Sequence, residues 1–258
     1  MVIFCPLAIE QRLTCAALRR AGHGRVRVRR AGLGAASAAA AVERAVRQGV
    51  LRPGSAGHEP GAGAVLVGVA GGLVDQPQLR SAQLPAAALS PLITGVIDLH
   101  GRSWRPTRSA ALRPDEPGVT LVGVDAIVHG QRDKRALAER LGVALVDMES
   151  HGFARACQAL GVPWAVIRGV SDGPAQDLPR CMGGWFTADG RLRALRVARD
   201  LALRPWLIPG LMALNARTRA AMGAACQRLL TLLGPASAPA SAPAEVPAGA
   251  PAPARAGR

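Results

Sequence analysis

The chain has 258 residues, 49% hydrophobic and 19% charged, with 32 Lys and Arg against 17 Asp and Glu for a formal charge of +15. That length is enough for a core without disulfide support, and the five scattered cysteines, lacking CxxC pairs or histidines at ligand spacing, argue against a disulfide framework or a zinc site and fit a reducing cytoplasm. Lys134 is the only lysine and tyrosine is absent; this skew points to codon bias, and without interleaved aromatic and basic residues it speaks against a nucleic-acid partner.

Residues 2–7 are apolar and predict a buried strand, followed by a helix over 8–20. Glu10 falls at the turn between them, where the helix dipole alone would favour a carboxylate. Residues 25–30 alternate Arg and Val as a half-buried strand does, and Ala31-Gly32-Leu33-Gly34 leads into an alanine-rich helix ending near Gly49. That small-residue turn is either a tight turn or, with Arg29 beside it, an anion site built from Gly32 and Gly34. A Gly/Pro-rich loop over 52–63 precedes a buried strand, 65–73, that runs into the glycines Gly71 and Gly72.

Further strands are expected over 92–99 and 119–124, and a helix opens over 133–140. The stretch 145–173 organises the rest: an apolar strand over 143–146, a helix over 148–160 closed by Gly161 and Pro163, and a second strand over 164–170. If those strands are parallel neighbours, Glu149 and Asp172 at their ends open into one crevice. A loop over 173–190 is expected as a flap. Two amphipathic helices follow, the first with Leu195, Ala198, Leu201 and Ala202 on one face and Arg193, Arg196, Asp200 and Arg204 opposite. One domain over 1–233 is expected, with the Pro/Ala/Ser-rich 234–258 as a disordered tail. The alternation of strand and helix predicts a three-layer α/β/α sandwich. No stretch is long and apolar enough for the roughly 20 residues that span a bilayer, and Glu10 and Arg12 interrupt the apolar start before it resembles a secretory signal.

Asp147-Met148-Glu149-Ser150, then Gly161-Val162-Pro163, then Val166-Ile167-Arg168-Gly169-Val170-Ser171-Asp172 resemble the signature region of the nucleoside phosphorylase and nucleosidase superfamily. The resemblance implies a mixed, strongly curved central sheet and cleavage of a purine N-glycosidic bond. It implies Asp172 as general acid toward the base, Glu149 as acceptor for the ribose hydroxyls, Met148 against the sugar, and Ala70, Gly71 and Gly72 passing close to it. Ala8-Ile9-Glu10 falls where nucleosidases carry the glutamate that activates water, whereas phosphorylases have a Gly-Asp-Pro type turn there. Val69 stands where many nucleosidases have Ser, and residues 75–118 match the family poorly.

Within the superfamily, Asp-Met-Glu-Ser, the opening Ala8-Ile9-Glu10-Gln11-Arg12 and Arg204-Pro205-Trp206-Leu207-Ile208-Pro209 look most like the hopanoid-associated phosphorylase group, linked to release of adenine from adenosylhopane. That implies a purine nucleoside or adenosyl lipid as partner, a homodimer, a cytoplasmic location with peripheral membrane contact through Trp206, no metal, and no cofactor beyond inorganic phosphate if the reaction is phosphorolytic. The alternatives are a methylthioadenosine/S-adenosylhomocysteine nucleosidase, a phosphate-dependent purine nucleoside phosphorylase and a non-catalytic nucleoside-binding protein. Ordinary helix packing would explain the Trp206 segment equally well.

Overall fold

The computed structural model describes residues 1–54, 63–75, 90–108, 110 and 116–235. The elements fall in chain order as β1 (Val2–Cys5), α1 (Ala8–Arg20), β2 (Arg27–Arg30), α2 (Ala35–Arg47), β3 (Ala64–Gly72), β4 (Leu92–Asp98), β5 (Ser103–Trp104) and β6 (Gly118–Gly123). They continue as α3 (Gln131–Leu141), β7 (Leu145–Asp147), α4 (Ser150–Ala159), β8 (Trp164–Asp172), α5 (Ala194–Leu203) and α6 (Ile208–Leu233). The Gly/Pro-rich 55–62, much of the divergent 75–118 and the tail from 236 lie outside the described residues.

Among the described residues eight strands form one mixed sheet with helices on both faces. The two faces follow from the strand period of two. Val2, Phe4, Leu66, Trp164 and Val166 point toward α2 and α4, while their neighbours Ile3, Cys5, Val65, Val67, Ala165 and Ile167 point toward α1 and α6. Val122 and Val146 form a third cluster with Leu137 of α3. Phe153 anchors α4: its ring meets Phe4 edge-on at 5.8 Å and Trp164 at 6.4 Å, a cluster whose truncation to Ala would cost about 3–5 kcal/mol.

The sheet branches at β3. This strand pairs in parallel with β1 at Ala64, Val65 and Leu66, in parallel with β8 from Ala64 to Gly71, and antiparallel with β7 at Gly71 and Gly72. The expectation that the two strands of the signature region are parallel neighbours is therefore corrected: β3 lies between them, and the helix that joins them crosses over it. The acids they deliver are ordered along β3 rather than side by side.

The first C-terminal helix also departs from expectation. Its inward residue is Asp200, buried against the indole N–H of Trp185 at 2.9 Å, while Leu195 is 89% exposed. A buried indole needs an acceptor, and that requirement outweighs the apolar stripe in setting the helix rotation. The 173–190 segment is a tied strap: Leu178 N–H donates to His129 O, Leu33 N–H to Ala188 O and Ala8 N–H to Gly190 O.

Candidate active site

Two buried polar clusters sit against β3. The first gathers Glu10, Asp147, Glu149, Ser150 and Arg168. Arg168 is fully buried opposite Gly68 in the β3–β8 ladder, and its guanidinium bridges two carboxylates. Its Nε donates to Asp147 Oδ2 at 2.8 Å, and its Nη2 reaches Asp147 Oδ2 at 2.5 Å and Glu149 Oε2 at 3.3 Å. Asp147 ends β7 and also starts α4, because its Oδ1 accepts the Ser150 N–H at 3.1 Å and its Oδ2 the Ser150 hydroxyl. Glu149, on the turn between them, accepts the Gly34 N–H at 3.1 Å.

Glu10 enters the same cluster from α1. One oxygen accepts the Leu7 N–H at 2.8 Å, closing the first turn of its own helix, and the other accepts the Val69 N–H of β3 at 2.9 Å. The helix-start role and the site role thus coexist in one side chain. Gly68 makes this possible: a Cβ there would stand 2.2 Å from Arg168 Nη1 and 2.7 Å from Glu10 Oε1, so any larger residue would drive them apart. That same Nη1 has no hydrogen-bond partner among the described residues. An unpaired buried guanidinium N–H is costly, and a water or a ligand oxygen is what such a group accommodates.

Electrostatics follow the burial. Burial pushes the Glu149 carboxyl up to about 7, Arg168 opposing and Asp147 adding to the shift. Burial also raises Glu10, with Arg168 and the Leu7 and Val69 amides pulling back. For Arg168, burial would lower the pKa, but Asp147, Glu149 and Glu10 more than offset it and hold the guanidinium charged.

The second cluster is at the other end of β3. A bulge in the β3–β8 ladder pairs Ala70 with Val170 but Gly71 with Asp172, leaving Ser171 as the extra residue and turning Asp172 over Gly71. A Cβ on Gly71 would stand 3.2 Å from Asp172 Oδ2. Ser171 donates its hydroxyl to Asp172 Oδ1 at 2.7 Å. From α3, Lys134 Nζ donates to Asp172 Oδ2 at 2.5 Å, to Gly173 O at 3.0 Å and to Gln176 O at 2.8 Å, so all three ammonium hydrogens are used. Lys134 is 1% exposed and Asp172 5%.

Gly68 and Gly71 are three residues apart on one strand, which separates the two clusters by about 10 Å. Ala70 lies between them on the strand, Gly72 continues beyond, and Met148 packs with Val146 in the third hydrophobic cluster. Glu10 and Glu149 are brought together; Asp172 stands apart with Lys134. At the expected anion site, Leu33 N–H donates to Ala188 O, Gly34 N–H to Glu149, Gly32 lies close to Ala188 O and Ser37, and Arg29 donates to Gln48 at 2.5 Å. Sequence reasoning missed Asp147 and Lys134 as site residues. The signal for Lys134 was its singularity in a chain that otherwise uses arginine for every basic side chain.

Residues 107–201 match the family model of the phosphorylase superfamily, a span that holds Lys134, Asp147, Glu149, Arg168 and Asp172. No curated protein matches the chain. Among solved structures, the 5'-methylthioadenosine/S-adenosyl homocysteine nucleosidase of Helicobacter pylori is similar at a TM-score of 0.58 and 15% identity, over 90% of this chain and 96% of that one. The futalosine hydrolase of Helicobacter pylori follows at 0.57 and 14%, over 90% and 96%. A 5'-methylthioadenosine/S-adenosylhomocysteine nucleosidase from Colwellia psychrerythraea, in complex with adenine, is similar at 0.57 and 15%, over 90% and 93%. The mixed sheet with flanking helices is thus the fold of the nucleoside phosphorylases and nucleosidases.

Proposed function

We propose that the chain hydrolyses the N-glycosidic bond of a purine nucleoside, with an adenosyl lipid of the adenosylhopane kind as its substrate. The observation that supports this best is the placement of two buried charged clusters about 10 Å apart along one glycine-bearing strand, a spacing suited to a sugar at one end and a purine at the other. Glu149 and Met148 hold the sugar, the carboxylate accepting from its hydroxyls. Ala70, Gly71 and Gly72 give the ligand close access to the strand.

A water between Glu10 and the unpaired Nη1 of Arg168 is the nucleophile. As the bond from the anomeric carbon to the base nitrogen breaks, the water oxygen bonds to that carbon and its proton passes to Glu10. The departing base takes a proton passed from the Lys134 ammonium through the Asp172 carboxylate it touches, and solvent afterwards takes the proton from Glu10 and returns one to Lys134, restoring the starting charges. Hydrolysis is favoured over phosphorolysis because the Leu33 and Gly34 amides and the Arg29 guanidinium are already engaged within the protein.

The test is incubation with adenosylhopane, methylthioadenosine and S-adenosylhomocysteine, with and without phosphate, followed by assay of adenine, free ribosyl product and ribosyl phosphate. Adenine without added phosphate is expected. Absence of adenine in every arm rejects catalysis, phosphate dependence rejects hydrolysis, and preference for the soluble nucleosides rejects the lipid substrate in favour of the kind named for the nucleosidases that share the fold. Asp172→Asn distinguishes an enzyme from a binding protein: turnover is lost while nucleoside binding is kept.

A further inference from the structure

Six of the eight exposed large apolar side chains among the described residues fall between 192 and 212: Leu192, Leu195, Leu203, Trp206, Ile208 and Met212, at 55, 89, 64, 70, 41 and 68% exposure. Leu192 lies just before α5, and the others belong to α5, to the 3-10 turn Pro205–Leu207 and to the start of α6. Ordinary packing on the sheet does not explain them, since within α5 only Asp200 is buried. The exposed charges among them are mostly basic: Arg191, Arg193, Arg196, Arg199 and Arg204 are exposed, Arg191 lying 3.0 Å from Asp189 and Arg199 and Arg204 at 3.5 and 3.9 Å from Asp200, the one acid from 191 to 212, which also accepts from Trp185.

We propose that this segment docks on the surface of an anionic lipid bilayer, with its apolar side chains entering the interface and its arginines on the headgroups. An amphipathic helix rich in Arg with Leu and Trp opposite is the chemistry of interfacial attachment, and Trp is favoured at that depth. Anionic headgroups complement this excess of arginine over acid, five arginines against Asp189 and Asp200, and Arg193 and Arg196 stand outside those ion pairs. A second copy of the chain is the weaker occupant, because a two-fold contact would set two sets of arginines against each other. No helix among the described residues is long and apolar enough to cross a membrane, so attachment here is peripheral. The segment grows from the strap that begins beside Asp172 and is tied to Ala8 through Gly190 O, so docking brings the bilayer to the rim of the candidate site.

Vesicle binding tests the proposal without any turnover, so its failure is separate from failure of the proposed reaction. Of the four tryptophans, Trp104, Trp164 and Trp185 are buried, leaving Trp206 to report on the segment by fluorescence. With the full chain, phosphatidylcholine vesicles containing phosphatidylglycerol should blue-shift and protect Trp206 from aqueous quencher and co-sediment the protein, at least tenfold more than pure phosphatidylcholine vesicles. The Leu195→Gln/Trp206→Gln variant keeps every charge, and its co-sedimentation should fall at least tenfold; Arg193→Glu/Arg196→Glu should lose the preference for anionic vesicles. Equal binding by the Leu195→Gln/Trp206→Gln variant would mean that the net charge of +15 acts alone and would overturn the proposal. So would the absence of any vesicle binding, or a dimer in solution that the same variant dissociates and that ignores lipid.

Discussion

Lys134 Nζ and Asp172 Oδ2 stand 2.5 Å apart, both buried, with the ammonium's other hydrogens spent on two backbone carbonyls. Lys134→Met leaves a buried carboxylate without its cation, a loss of about 3–5 kcal/mol. Activity should fall roughly 100- to 10,000-fold as the proton donor is disabled. The double variant Lys134→Met/Asp172→Asn should recover much of the thermal stability and none of the turnover; denaturant unfolding beside an adenine assay measures both.

Arg168 neutralises a cluster of three acids and cannot be replaced by an apolar side chain of similar length. Arg168→Met should cost about 3–5 kcal/mol at neutral pH. The deficit should shrink as pH falls, because Glu10 and Glu149, already raised by burial, then take up protons and the repulsion disappears. Melting temperatures of both proteins from pH 5 to pH 8 check the convergence; a constant gap would contradict it.

Glu149 makes a pH dependence of its own. Its pKa rises from the ordinary 4.5 to about 7 on folding, so in that window the native state binds more protons than the unfolded chain. Stability contributed by this residue is therefore present below about 4.5 and is lost as pH rises to about 7. Glu149→Gln should remove this slope, making the variant relatively more stable at pH 7 to 8 than at pH 5. Nucleoside affinity in the wild type should run the opposite way, improving through about 7 as the carboxylate becomes a full acceptor for hydroxyls.

Gly68→Ala inserts a methyl group at 2.2 Å from Arg168 Nη1 and 2.7 Å from Glu10 Oε1. Moving these groups by about 1 Å should lower turnover roughly 100-fold, with a far smaller effect on binding of the base at the Asp172 end. Steady-state kinetics beside equilibrium binding of adenine separates the two effects.

Much of the fold was legible because the strands are short apolar runs and α1, α2 and α3 have helical periodicity bounded by glycine or by strand ends. The sheet order was not: a strand of nine residues can pair on two edges and at two levels, and no local pattern in β3 announces that β7 will meet only its last two residues. Glu10, Glu149 and Asp172 were visible as acids beside strand ends, whereas the Lys134–Asp172 pair depends on where α3 settles, 38 positions away in the chain. The rotation of α5 failed for a nameable reason. An amphipathic pattern says which stripe is apolar, and it says which stripe faces the protein only when burial of that stripe is the strongest demand; here the Trp185 indole was stronger.

The solitary lysine has a further use. Because the chain carries one side-chain amine and that amine is 1% exposed, amine-acylating reagents should leave the closed molecule almost untouched apart from its terminus. The rate at which residue 134 acquires label would then time the local opening of α3 away from Asp172. Any ligand that clamps this region should slow labelling in proportion to occupancy, giving an assay of engagement that does not depend on knowing the product.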